Sequence, residues 1–212
     1  MRKYDLRINK HVLKQFASIL IVLFCCSTLL SQTRFELKPF GFSMQEPTDW
    51  IPQARSNLVE NIKSLDDAEK IDALLKNHQG DIAVRSFLRY DPSIVAGLIP
   101  TVNVNVRRKS TNDFAVFKRE LIGSFGLVKK TVDDFVFLST PTEVEISGIR
   151  SLHMVITYSL KREDGQILKP RTRIYAIPIK GYFIQVNLID GQTDNDCTKT
   201  FDQLLKTIKI GK

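Results

Sequence analysis

Cysteine is scarce: Cys25 and Cys26 sit side by side in an apolar run near the start, and Cys197 stands alone near the end. Once that run is removed a single thiol remains, no internal disulfide can form, and stability must come from a packed core. Histidine is as thin, with three in the chain. No His/Cys/Asp/Glu cluster has metal-ligand spacing, which argues against a zinc centre. No Walker motif and no Gly-x-Ser-x-Gly elbow is present, and Gly123-Ser124-Phe125-Gly126 fits a helix end better than a nucleophile turn. His153 falls on the polar side of a strand, as a surface or hydrogen-bonded histidine does. Internal repeats, low-complexity tracts and interdomain linkers are also missing. These absences point to a non-catalytic, single-domain protein with no cofactor.

What is present is ordinary globular material, 43% hydrophobic and 25% charged over 212 residues, enough for one sizeable core. The N-terminus is the sharpest signal. A basic segment reaches Lys14, an apolar run spans residues 16–30, and Ser31-Gln32 precedes the polar Thr33-Arg34, the layout of a secretory signal peptide. Residues 1–31 are assigned to the signal and 32–212 to the domain, with cleavage between Ser31 and Gln32; Leu29 is larger than the preferred residue at its position. Two other fates stay open for this segment. It falls short of the ~20 residues of a spanning helix but could be retained as an anchor. Lipid attachment at Cys25 or Cys26 is the third, with Phe24 bulkier than usual before such a cysteine. Residues 1–31 hold five basic side chains and one acidic, so the remainder carries 26 basic against 22 acidic, a net +4. That excess is weak evidence for an anionic partner, and nucleic acid is not expected.

Residues 143–189 organise the fold. Leu152, Met154, Ile156, Tyr158 and Leu160 alternate with polar residues, the period of a strand with one buried face. Asp164-Gly165 suits a two-residue type I′ turn, which would set Met154 opposite Tyr175, Leu152 opposite Ile177 and Ile156 opposite Arg173. A second two-residue turn at Lys180-Gly181 puts Tyr175, Ile177, Ile179, Tyr182, Ile184, Val186 and Leu188 on one face. The other face, with Ile174, Ala176, Phe183, Gln185 and Asn187, is only half polar, so something covers part of it.

Earlier elements follow the same logic. Residues 35–44 read as a first strand and 56–77 as helix bounded by Gly80, breaking near a capping box at Ser64. Strands are expected over 81–90 and 101–108. Between them lies an apolar loop whose Ile94, Val95, Leu98 and Ile99, if exposed, form a partner-contact tip. A capping box at Ser110 to Asp113 opens a helix with Phe114, Phe117, Leu121 and Phe125 on one stripe, stopping at Gly126. Residues 128–138 suggest a weak strand pair. The final helix begins with a Thr193 to Asp196 box and carries Cys197, Phe201, Leu204, Leu205 and Ile208 inward, which makes Cys197 buried and inert. Arg107, Arg108 and Lys109 with Lys169, Arg171 and Arg173 are candidates for one basic patch.

The element order, Gly41-Phe42-Ser43-Met44 followed by Pro47 and Trp50, and the closing Leu204-Leu205-Lys206-Thr207-Ile208-Lys209-Ile210 resemble the PsbP-like superfamily. That resemblance implies an α+β fold, an antiparallel β-sheet covered by helices as an α/β/α sandwich, in proteins that act through protein contacts. No functional residue of the family carries over to a position here. The expected function is an exported accessory protein of the bacterial cell envelope, periplasmic or extracellular, with an envelope protein as partner and a membrane contact only through lipidation or a retained signal. The alternative is a small-molecule or lipid carrier, or a hydrolase dependent on His153, with a pocket between sheet and helices.

Overall fold

Alternating apolar residues pair into antiparallel strands throughout the computed structural model, which describes residues 33–53 and 68–211. In chain order these are β1 (Arg34–Leu37), β2 (Phe42–Gln45), β3 (Ile51–Gln53), β4 (Asp81–Leu88), β5 (Thr101–Arg108), β6 (Asp133–Phe137), β7 (Thr142–Ile146), β8 (Ile149–Lys161), β9 (Ile167–Leu168), β10 (Pro170–Pro178), β11 (Tyr182–Gly191) and β12 (Lys209–Ile210). The helices are α1 (Ala68–Asn77), α2 (Phe114–Val128) and α3 (Thr198–Leu205). One large sheet runs β3-β4-β5-β11-β10-β8-β6, with β7 and β9 also paired to β8; β1, β2 and β12 form a second, three-stranded sheet. From Arg34 onward the described residues belong to one compact unit.

Period two gives the large sheet two faces of different character. One carries Val102, Val104, Val106, Tyr175, Ile177, Ile184, Val186 and Leu188. Against it pack Leu75 of α1, Phe201 and Leu204 of α3, and Phe35, Leu37, Phe42 and Met44 of the small sheet. Each fully buried Phe, Leu or Val side chain contributes about 1.5–3 kcal/mol of transfer free energy. On the other face Leu152, Met154, Ile156, Ile174, Ala176 and Phe183 lie under Phe117, Leu121 and Phe125 of α2. Helices therefore cover both faces, and the architecture is the α+β sandwich expected from the sequence. The remainder of the α2 face, over β4, β5 and part of β11, is polar: the Ser86 hydroxyl donates to Asn103 at 2.7 Å, Asn105 to Asp81 at 3.1 Å and Gln185 to Asn187 at 2.9 Å.

The turn at Lys180-Gly181 has two residues, with Ile179 and Tyr182 bonded across it and Gly181 at φ +74°. Strand β5 occupies the expected span. The β8–β10 register differs by one residue: Met154 faces Ile174, Leu152 faces Ala176 and Ile156 faces Thr172. The reason lies in the turn, where Gly165 N–H donates to the Arg162 carbonyl and Arg162 pairs with Gln166, leaving a three-residue loop with Gly165 left-handed at φ +84°. A one-residue slip sends every side chain to the opposite face, so Leu152, Met154 and Ile156 pack under α2.

Several boundaries also moved. The expected first strand is a hairpin, β1 and β2, broken by a 3-10 turn at Lys38–Phe40 with Gly41 at φ +61°. Asp113, not Ser110, caps α2 by accepting from Ala115 and Val116 N–H, and α2 runs through Gly126 to Val128 because no side chain or turn bond stops it there. Residues 128–138 give one strand, β6, rather than a pair. At α3 the Asp196 carboxylate accepts from Thr198 N–H and Oγ1 at 2.8 and 2.5 Å, so the box at Thr193 does not start the helix. The helix ends at Leu205, and Lys209-Ile210 becomes a strand. The first half of the helix expected over 56–77, the signal segment with Ser31 and Gln32, and Cys25 and Cys26 lie outside the described residues.

Candidate functional site

Of the four apolar loop residues, Ile94 is 80% exposed, while Val95, Leu98 and Ile99 are half-buried. The turn is held locally. Asp91 accepts from Ser93 N–H and Oγ at 2.8 and 2.6 Å, which holds its carboxyl below the usual carboxylate range, and its carbonyl accepts from Ile94 and Val95 N–H. The loop thus presents one apolar side chain rather than a four-residue tip.

The basic residues do not form one patch. Arg107 pairs across β11 with Phe183, whereas Arg171 pairs with Asp190, seven residues or about 23 Å along that strand. Arg171 and Arg173 serve a buried carboxylate. Asp190, fully shielded from solvent, accepts both Nε and Nη2 of Arg171 and Nη1 of Arg173, each at 2.9 Å, and also the Cys197 N–H at 2.9 Å. Arg173 continues to Thr198 Oγ1 at 2.5 Å, and Arg171 to Asp196 at 3.1 Å. Thr198 and Arg171 together hold the Asp196 carboxyl down at about 2, the two Thr198 hydrogen bonds being the main cause. This cluster fastens the start of α3 to β10 and β11. Cys197 is buried as expected, and burial pushes its thiol up despite the Arg89 guanidinium 3.1 Å away, which keeps it protonated and unreactive.

His153 departs from its expected environment. It is half-buried, stacked on Tyr175 at 4.5 Å and 16°, with its shielded Nε2 lacking a hydrogen-bond partner. Burial, then the neighbouring Arg173, lowers the imidazole's pKa. The Asp202 carboxylate acts in the opposite direction and is outweighed.

Where α2 leaves the sheet uncovered there is a cleft of about 750 Å³, inside the ~300–1,000 Å³ range of small-molecule sites. One wall is α2, through Phe117, Glu120, Leu121 and Ser124; β11 contributes Phe183. The end of β5 supplies Arg107, Arg108 and Lys109, and the C-terminal turn of α1 supplies Lys76, Gln79 and Gly80. Local chain geometry positions these groups. Gln79 and Gly80 are both left-handed, at φ +55° and +80°, closing α1 through Gly80 N–H to the Leu75 carbonyl. Arg108 N–H then bonds the Gly80 carbonyl at 2.9 Å, and Asp72 of α1 receives the Arg108 guanidinium and the Tyr182 hydroxyl at 3.5 and 3.4 Å.

Arg107 is held on three sides, by Gln185 Oε1 at 2.9 Å, by Asp81 at 3.2 Å, and by the Phe183 ring 5.5 Å from its guanidinium carbon. Glu120 is the one acid in the lining, and Ser110 Oγ donates to it. Lys109 is partly desolvated, which lowers its pKa. Sequence reasoning anticipated a pocket between sheet and helices but not Lys76, Glu120 or Ser124. Its available clue was Phe183, an aromatic residue among the amides of its strand face. Among the described residues no group of three His, Cys, Asp or Glu could hold a metal ion.

No protein-family model matches the chain, and no curated protein matches it by sequence. Solved structures do. The solution structure of cyanobacterial PsbP (CyanoP) from Synechocystis sp. PCC 6803 aligns at TM-score 0.54 and 9% identity, over 84% of this chain and 92% of that one. A crystal structure from Bacteroides thetaiotaomicron aligns at TM-score 0.47 and 11% identity over 84% and 48%, respectively. LpqN of Mycobacterium tuberculosis, described as involved in cell envelope biogenesis, aligns at 0.46 and 13% over 84% and 85%. The first of these alignments spans nearly the whole of both chains, and with the two-faced antiparallel sheet and its helices it shows that this chain has the PsbP-like α+β fold.

Proposed function

We propose that the chain is an exported, non-catalytic binding protein of the bacterial cell envelope that holds a small molecule in the cleft between α2 and the sheet. The observation that carries this is the preformed cleft of about 750 Å³ with an apolar wall and a basic rim. No histidine or cysteine lines it, and both of its serine hydroxyls are engaged, Ser124 with the Leu121 carbonyl and Ser110 with Glu120. Export rests on the N-terminal segment of the sequence. Native mass spectrometry of protein recovered from its own cells tests the reading: a co-purifying small molecule is expected, lost in Ser124→Trp, which fills the cleft, and retained in Ser124→Ala. Absence of any adduct in the wild type under gentle ionisation would overturn it.

A second reading, an accessory protein acting through protein contacts at the 91–99 loop, draws on the exposure of Ile94. It expects Ile94→Asp to release partners captured from the envelope fraction. If Ile94→Asp and Leu98→Asp both leave every partner in place, the loop is not the interface.

A further inference from the structure

The cleft has two chemically distinct kinds of lining residue. Lys76, Arg107, Arg108 and Lys109 line it together with Phe117, Leu121 and Phe183, whose rings and side chain are largely buried, and Arg107 lies over the Phe183 ring. Arg107 and Arg108 each have a carboxylate partner, Asp81 at 3.2 Å and Asp72 at 3.5 Å. Lys76 and Lys109 have none among the described residues. Glu120, the one acid in the lining, accepts from Ser110 and keeps its charge, and C-terminal carbonyls of α1 are taken up by Gln79 and Gly80 N–H. Four cations against one lining acid, two of them without a carboxylate partner among the described residues and one of these, Lys109, partly desolvated, make a site for an anionic group. The lowered pKa of Lys109 follows from burial without a counter-charge, which such a group would supply.

The apolar wall selects the rest of the ligand. Phe117 and Phe183 meet edge to face at 5.2 Å and 64°, so they leave no parallel slot for a flat ring, and Leu121 continues the surface. An irregular apolar wall of this kind suits a flexible aliphatic chain. Resting on the cleft reading above, we infer that the ligand is an anionic amphiphile, its phosphate or carboxylate head held by Lys76, Lys109 and the two arginines and its alkyl body laid along Phe117, Leu121 and Phe183. The arginines are pre-oriented by Gln185, Asp81 and Asp72, so the head meets an organised donor set at little conformational cost.

Isothermal titration of the full mature chain with dodecyl phosphate below its micelle concentration tests this. Saturable one-to-one binding is expected, weakened at least tenfold in Lys76→Glu/Lys109→Glu and weakened by added salt. Dodecyl glucoside, with the tail and no charge, and inorganic phosphate, with the charge and no tail, should each bind at least tenfold more weakly. Dodecyl glucoside binding as tightly as dodecyl phosphate would overturn the anionic head; inorganic phosphate binding as tightly would overturn the alkyl body and identify a free-phosphate site. Circular dichroism of the double variant establishes that it is folded. If native spectra show a Ser124→Trp-sensitive molecule that is uncharged while dodecyl phosphate fails to bind, the amphiphile falls and the cleft reading stands. If neither binds, both fall.

Discussion

At Asp190 one carboxylate supports four donors. Two guanidinium groups and the Cys197 N–H converge on a side chain with no solvent exposure, so removing it strands a largely buried Arg173 beside Phe201. Asp190→Ala is therefore expected to cost about 3–5 kcal/mol, and Asp190→Asn less, since one acceptor oxygen survives. Urea unfolding at neutral pH measures both. His153 makes the converse case, a titratable group whose shielded Nε2 has no hydrogen-bond partner among the described residues. Folded, it faces Tyr175, Arg173 and Asp202, and its pKa lies below the unfolded value of about 6.5. Below that pH the unfolded chain binds a proton the folded one resists, so stability falls on acidification through the histidine range. His153→Phe keeps the stack and removes the proton, and the decline in Tm from pH 7.5 to 5.5 should be shallower in the variant. Equal declines would show that the ring does not contribute.

Elements were legible where two local signals agreed. Strand β5 combines strict Val and Asn/Arg alternation, and its bounds came out as expected; the Phe117, Leu121 and Phe125 stripe likewise identified the buried side of α2. Registers and caps were less legible, because each is decided by a choice between near-equal local bonds. Asp164-Gly165 fits a two-residue turn by composition, but placing Gly165 left-handed after a normal turn makes a loop of three and moves β8 by one residue. Ser110 and Asp113 have the spacing of a capping box, but the Ser110 hydroxyl bonds Glu120 and Asp113 itself accepts from α2's free N–H groups. The cleft residues come from four separate elements, so no spacing in the sequence could collect them. Two substitutions test these assignments. Gly165→Ala places a side chain at φ +84° and should cost about 1 kcal/mol, and Asp113→Ala about the same through loss of the α2 cap. Chemical denaturation reads both; a neutral result at Gly165 would contradict its left-handed conformation.

For the whole molecule, the two faces of the large sheet divide the labour. The Val-rich face is sealed by α1, α3 and the small sheet, while the α2 face is covered over β8 and β10 and left polar over β4 and β5, and the cleft lies where that cover ends. Ser124 is exposed on α2, so Ser124→Trp should leave thermal stability within about 0.5 kcal/mol of wild type. The N-terminal segment makes a separate prediction at this scale. The intact mass from fractionated cells is expected to begin at Gln32 in a soluble fraction. A start at Cys25 or Cys26 with added acyl mass, or an uncleaved chain, would make the domain membrane-tethered.

The small sheet joins segments far apart in sequence: Ser43 pairs with Lys209, Gly211 N–H donates to the Gly41 carbonyl at 2.7 Å, and Arg34 reaches the Thr207 carbonyl at 2.8 Å. A polypeptide delivered amino end first cannot close this clasp until residue 211 has arrived, about 170 residues after β2. Until then β2 keeps an open edge available to another copy, so closing the small sheet waits on a contact very distant in sequence.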